Sequence, residues 1–255
     1  MPRNPRAANP NGLLHVISRG VERRMIYADD ADRRIFIDFM RESFERASVR
    51  LFSYCLMGNH FHLLLDMRSG PIGIPMHLLL TRYAHHFNQR HKRVGHLFQN
   101  RFNAIPCLEQ RHFITILTYI HLNPVRAGLV KKPGLWRWSS HRDLISGSRE
   151  VLHLDDLPDS TGMTLDEVRS GYDELLAQAD ESCSSLERII DEAAALAGLT
   201  AGALRQGGRS RAHTLARIMV VNKGITHGFT VKELSAALNC TAAAIHQLRA
   251  RSHTR

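Results

Sequence analysis

The chain has 255 residues, 44% hydrophobic and 23% charged, ordinary values for a globular protein with a substantial core. Its apolar runs are too short to span a bilayer, and the opening MPRNPRAANPNG has no apolar signal core, so a membrane or export role is disfavoured and a cytoplasmic location is expected. The net charge of +10 is unevenly spread: residues 1–150 carry 23 Lys+Arg against 11 Asp+Glu, residues 151–200 carry 2 against 12, and residues 201–255 carry 9 against 1. Two cationic blocks flanking an acidic one make a polyanion the first partner expected, with plain solubility as the bland alternative. Four cysteines (Cys55, Cys107, Cys183 and Cys240) form no CxxC pair, which argues against a disulfide framework or a cysteine zinc site.

Residues 1–12 read as a loose arm. Leu13 to Arg19 is strand-like and ends at Gly20. Asp29 and Asp30 offer cap chemistry for a helix whose Phe36, Phe39, Met40 and Phe44 follow helical spacing. Arg50 to Met57 reads as a buried strand, Gly58-Asn59 as a turn, and His60 to Asp66 as the returning strand of a hairpin. A second amphipathic helix follows with Met76, Leu79, Leu80, Tyr83 and Phe87 on one face. A short strand is predicted around His96 to Asn103, then a helix from Gln110 to Leu122 packed through Phe113, Ile116, Leu117 and Ile120. The order β-α-β-β-α-β plus a further helix is that of a ferredoxin-like antiparallel sheet, an α+β domain over residues 13–149.

Residues 150–183 form an acidic connector, with a helix over 165–179. From Ser184 to the end the chain reads as a small all-helical domain, closing with TVKELSAALNCTAAAIHQLRAR. A capped short helix, a turn at Asn239-Cys240 and a second helix from Thr241 have the rhythm of a helix-turn-helix.

His60 and His62 are two apart on a predicted strand, so both project from one face and can share a divalent metal if a third ligand arrives. A bare HxH is weak among 16 histidines. Here, though, the apolar neighbours Phe61, Leu63 and Leu65 imply burial of the other face. Tyr119 and Asn123 are four apart on the next helix and share a face. Pro124 disfavours helical geometry at Asn123, so the helix is expected to end there. A tyrosine on an apolar helix is usually core. Beside an amide, and facing two histidines, its phenol could attack a phosphate whose metal the amide oxygen helps to hold.

These phrases resemble a known family. LHVISRG at 14–20, YCLMGNHFHLLL at 54–65, GHLFQNRF at 95–102, YIHLNPVRAGLV at 119–130 and WRWSS at 136–140 are similar to the IS200/IS605-type transposase domain of the HUH single-tyrosine endonucleases. The closer likeness is to the branch associated with repetitive extragenic palindromes. The resemblance implies His60 and His62 as the HUH pair, Tyr119 as nucleophile, Asn123 as third ligand, and Mg²⁺ or Mn²⁺ as metal. On softness grounds alone, two imidazoles would suit zinc or manganese. The middle residue of the pair is Phe61 rather than a bulky aliphatic. The first strand ends in the family's Arg-Gly as Arg19-Gly20, but Val21 stands where many relatives have Asn. The implied reaction is cleavage of single-stranded DNA to a 5′-phosphotyrosine and a free 3′-hydroxyl, with no need for ATP.

Residues 67–108 hold no Asp or Glu but contain Arg68, Arg82, Arg90, Lys92, Arg93 and Arg101. With Arg19, the last five of these are candidate contacts to single-stranded hairpin DNA, and Phe98 or Phe102 could stack on bases; a solvated helix face is the alternative. The tail from about 187 to 251 resembles the duplex-binding domain of the bacterial replication initiator DnaA, which places Thr241, His246, Arg249 and Arg251 towards duplex DNA. The competing functions are a plasmid or replication nickase of the same superfamily and a DNA-binding regulator with a vestigial site. The sequence leaves a monomer and a homodimer open, and with them cis or trans use of Tyr119.

Overall fold

The computed structural model describes residues 12–67, 70–107, 109–208, 210–226 and 228–252, with 180–184 and 251–252 described for the backbone only. The chain divides into two compact units, Met1–Leu175 and Leu176–Arg255. Among the described residues, no helix is long and apolar enough to cross a membrane.

The first unit is built on four antiparallel strands: β1 (Leu13–Arg19), β2 (Arg50–Leu56), β3 (His60–Asp66) and β4 (Asn103–Pro106), in the order β2-β3-β1-β4. Helices α1 (Asp30–Glu45) and α2 (Gly73–Arg90) share one layer. The Asp29 carboxylate caps α1 by accepting from the Asp32 amide, and Phe36, Met40 and Phe44 form its buried stripe. Phe36 meets Phe61 of β3 at 4.9 Å and Tyr83 of α2 at 5.0 Å between ring centroids, so this layer covers the face carrying Phe61, Leu63 and Leu65. Helix α3 (Gln110–Arg126) crosses the opposite face, where Phe113 packs on Phe52. The alternation of β3 therefore sends Phe61, Leu63 and Leu65 to one layer and His60, His62 and Leu64 to the other.

Two expectations need correction. The fourth strand lies at Asn103–Pro106, after the predicted span. Residues 97–99 instead run beside the end of β1: the Val21 amide donates to Leu97 O, the Gln99 amide donates to Arg19 O, and Gly20 bridges Phe98. Helix α3 also continues past Asn123 to Arg126. Pro124 removes only one backbone donor, and burial of Leu122 and Pro124 holds the final turn against the steric preference. The Asn123 side-chain amide donates 2.8 Å to Tyr119 O at this point.

Gly20 is needed for space. A Cβ there would sit 2.2 Å from Arg24 O and 2.8 Å from Ile26 Cγ2. Gly20→Ala is expected to cost about 2 kcal/mol, read as a lower midpoint in urea unfolding, because backbone rather than a flexible side chain must move.

WRWSS covers the outer edge of β2. The Leu56 amide donates to Trp138 O, Ser140 N donates to Tyr54 O, and the Tyr54 amide donates to Ser140 Oγ. Behind it, the fully buried His121 lies 2.9 Å from Ser140 Oγ, 3.1 Å from Ser53 Oγ and 3.1 Å from the Tyr172 hydroxyl. Burial, followed by the neighbouring His141, lowers its pKa to about 3, so it is a neutral hydrogen-bonding group near pH 7. Tyr172 belongs to α6 (Leu165–Leu196), which begins inside the stretch expected as a connector; residues up to 175 fold with the first unit.

At the far end of the α1–α2 layer, Asp32 is fully buried. Its carboxylate accepts from the Ala28 amide and from Arg90, and lies 2.9 Å from His91 Nε2, while Arg90 also reaches Asp29.

The second unit packs the carboxy-terminal part of α6 with four helices that follow α4 (His141–Ser146) and α5 (Leu157–Thr161): α7 (Ala201–Gln206), α8 (Arg211–Thr226), α9 (Val231–Ala237) and α10 (Ala242–Ser252). Ile190, Leu204, Val220, Val221, Leu234, Leu238 and Ile245 form its core. Thr230 and Glu233 make a reciprocal capping box for α9, and Asn239 turns the chain at φ +48° before α10. The Arg217 guanidinium donates to Leu204 O, Arg205 O and Leu238 O, tying the ends of α7 and α9 to α8.

Candidate active site

The site lies between the α3 face of the sheet and α3 itself. In the β1–β3 register, Arg19 faces His60 and Ile17 faces His62, so His15, Ile17 and Arg19 share a face with both histidines. The His60 and His62 ring centroids are 5.1 Å apart. The Tyr119 ring stands edge-on to His62 at 5.6 Å and to His15 at 6.0 Å. Tyrosine and histidine pair therefore meet within one chain. The Arg126 guanidinium covers the Tyr119 ring from 5.4 Å, a cation–π contact two turns along α3.

Each paired histidine has its Nδ1 engaged. Asn59 Nδ2 donates to Arg23 O, which turns Asn59 Oδ1 onto His60 Nδ1 at 2.6 Å. An amide oxygen can only accept, so His60 holds its proton on Nδ1 and keeps the Nε2 lone pair. His62 Nδ1 lies 3.0 Å from His15 Nε2 in nearly parallel stacked rings. Burial, then the Arg19 charge, lowers the His60 pKa to about 4; burial, then His112, lowers His15 to about 4. Both are neutral near pH 7, the state metal ligation requires of His60.

Among the described residues, no three His, Cys, Asp or Glu side chains converge as a metal cluster. The Asn123 side-chain nitrogen is committed to Tyr119 O, so Oδ1 is the atom it could offer a metal. Two imidazoles and one amide oxygen would suit a divalent ion that keeps open positions for phosphate oxygens.

The basic residues separate into two groups. Arg19 is exposed beside His60, and Lys92 and Arg101 are exposed on the segment between α2 and β4. Arg82 and Arg90 are on α2, in the layer over the other face of the sheet. Arg82 pairs with Glu42 at 2.6 Å and stacks on Phe39, Arg90 pairs with Asp29 and Asp32, and Arg93 lies over Phe87. Arg68 lies outside the described residues. Phe102 is buried, and Phe98 packs on Phe61 and Tyr83, so neither is an open stacking platform.

In the second unit, Thr241 Oγ1 accepts from the Ala244 amide and so caps α10. His246 and Arg249 are exposed on α10 together with Ala242, Ala243 and Gln247, while the Arg251 side chain lies outside the described residues. Gln247 was missed by sequence reasoning, as were His15, Asn59 and Arg126. Arg126 could have been found as the residue seven after Tyr119 had the helix been carried through Pro124. His15 needed the β1–β3 register.

This fold is similar to that of a solved REP-associated tyrosine transposase bound to a REP hairpin, with TM-score 0.50 and 16% identity, covering 59% of this chain and 90% of that one. At that identity the likeness is one of fold. No curated protein matches the chain. Residues 10–123, within the first unit, match the family described as Transposase IS200 like.

Proposed function

We propose that the chain is a metal-dependent single-strand DNA endonuclease and strand transferase that acts as a transposase on hairpin DNA of the REP type. The observation that carries this reading is the edge-on contact of Tyr119 with His62 under the Arg126 guanidinium, within the segment that matches the IS200-like family. The similar solved structure is of a tyrosine transposase bound to a REP hairpin, which suggests the substrate class.

Tyr119 Oη attacks a backbone phosphorus; the new P–O bond to tyrosine replaces the P–O3′ bond, and the 3′-oxygen leaves as a hydroxyl after taking up a proton. The exchange of one phosphodiester for another conserves the bond energy, so a later 3′-hydroxyl can attack the phosphotyrosine and release Tyr119. His60 and His62 through Nε2, with Asn123 through Oδ1, would hold Mg²⁺ or Mn²⁺. That ion, when bound, neutralises charge developing on the phosphoryl oxygens. Arg126 keeps the phenol ring in place and supplies a second positive charge near the attacked phosphate, while Arg19 meets the backbone on the His60 side. Tyrosine and histidines from one chain support action in cis by a monomer. The exposed face of α10 supports an added duplex contact through Thr241, His246 and Arg249, and the sequence adds Arg251 to that set.

The test is covalent capture: full-length protein, Mn²⁺ and labelled single-stranded hairpin DNA from the flanks of its own gene, analysed under denaturing conditions. A Mn²⁺-dependent adduct supports the reading. Duplex binding without any adduct would favour a regulator with a vestigial site. Arg126→Ala is expected to slow adduct formation by about 10- to 100-fold, with a smaller change in hairpin affinity, measured by single-turnover capture and filter binding.

A further inference from the structure

We propose that His15 is the positioning residue for His62: its Nε2 accepts the His62 Nδ1 proton, so that the His62 Nε2 lone pair faces the metal position. The inference rests on the metal-dependent reading above and extends it to a residue outside the HxH pair.

The two rings are 5.2 Å apart at an interplanar angle of 24°, and the nitrogens are 3.0 Å apart. One proton sits between them. If His15 donated it, neutral His62 would carry its own proton on Nε2 and could not ligate there. If His62 donates it, Nε2 is bare. Ligation by His62 therefore needs His15 as the acceptor, as ligation by His60 needs the Asn59 oxygen held by Arg23 O.

Placement adds a second argument. His15 is only 6% exposed, on a sheet face packed under α3, where an aliphatic side chain would bury at lower cost. Its ring touches both the proposed ligand and the proposed nucleophile, His62 and Tyr119, so one side chain sets the distance between them.

The experiment uses the full-length, DNA-free protein and two readouts. Nitrogen-15 NMR of the histidine rings reports the His62 tautomer, and electron paramagnetic resonance reports free Mn²⁺ and hence the dissociation constant. His15→Phe keeps a stacked ring but has no acceptor; His15→Gln keeps an acceptor oxygen. Expected are a wild-type His62 protonated on Nδ1, an Mn²⁺ dissociation constant raised about 10- to 100-fold in His15→Phe, and one within about threefold of wild type in His15→Gln. A purely structural role would move melting temperature in both variants without separating them in Mn²⁺ affinity. Unchanged affinity in His15→Phe, or a wild-type His62 protonated on Nε2, overturns the inference while leaving the metal-dependent reading intact. If wild-type protein binds no Mn²⁺, that reading falls and the inference falls with it. Should His15→Phe fail to fold, the wild-type tautomer and the His15→Gln affinity still decide.

Discussion

Tyr119→Phe is expected to reduce covalent capture of hairpin DNA by at least about a thousandfold, to the background of the assay. The substitution deletes one hydroxyl and leaves the ring. The edge contacts to His62 and His15 and the Arg126 cation–π contact all depend on the ring, so the folded state and hairpin affinity should change little. His60→Ala should also lose the adduct, for a different reason. It removes one donor from the proposed metal site, and raising Mn²⁺ should recover part of its activity, whereas no metal concentration should rescue Tyr119→Phe. Single-turnover capture across a Mn²⁺ titration separates the two. An adduct of wild-type yield in Tyr119→Phe would assign the nucleophile elsewhere.

Asp32→Ala should produce a large loss of stability for a polar substitution, about 2–4 kcal/mol, read as a lower midpoint in urea unfolding. Asp32 is fully buried, yet its carboxyl pKa is lowered. Burial alone would raise it, and is outweighed by hydrogen bonds from the Ala28 amide, His91 and Arg90. Removing the carboxylate takes the acceptor from the Ala28 amide and His91 and leaves Arg90 with Asp29 alone. The sign of the pH dependence follows: the folded carboxyl titrates below its unfolded value, so its contribution is complete above about pH 4 and disappears as pH falls through the folded pKa. Acid unfolding of wild-type protein should therefore be steeper below pH 4 than that of Asp32→Ala. The same network makes Arg90→Ala a test of the charge argument. Melting temperature should fall while single-stranded DNA affinity holds, because Arg90 is committed to Asp29 and Asp32.

Local patterns carried much of the fold. The alternation in HFHLLLD, the Gly58-Asn59 turn and the Asp29 cap are short-range signals, and β3, the hairpin and α1 stand where they point. The helix-turn-helix rhythm is likewise matched by α9, the Asn239 turn and α10. What escaped is decided by tertiary contact. Helix α3 passes Pro124 because Leu122 and Pro124 are buried, which no window of sequence states. His15 reads as an ordinary strand residue until β1 is paired with β3. The arginines of α2 read as a phosphate-binding run because their acidic partners, Glu42, Asp29 and Asp32, come from a different helix and its cap.

Placing β3 between β2 and β1 has an evolutionary consequence. Its two neighbours lock its phase, and its two faces meet opposite surroundings: imidazoles under Tyr119, aromatic carbon against Phe36. A single-residue insertion that slipped β3 by one position would rotate His60 and His62 into the Phe36–Tyr83 layer and turn Phe61 towards Tyr119. The hairpin between β2 and β3 can therefore change in length only where the turn absorbs the change without slipping β3.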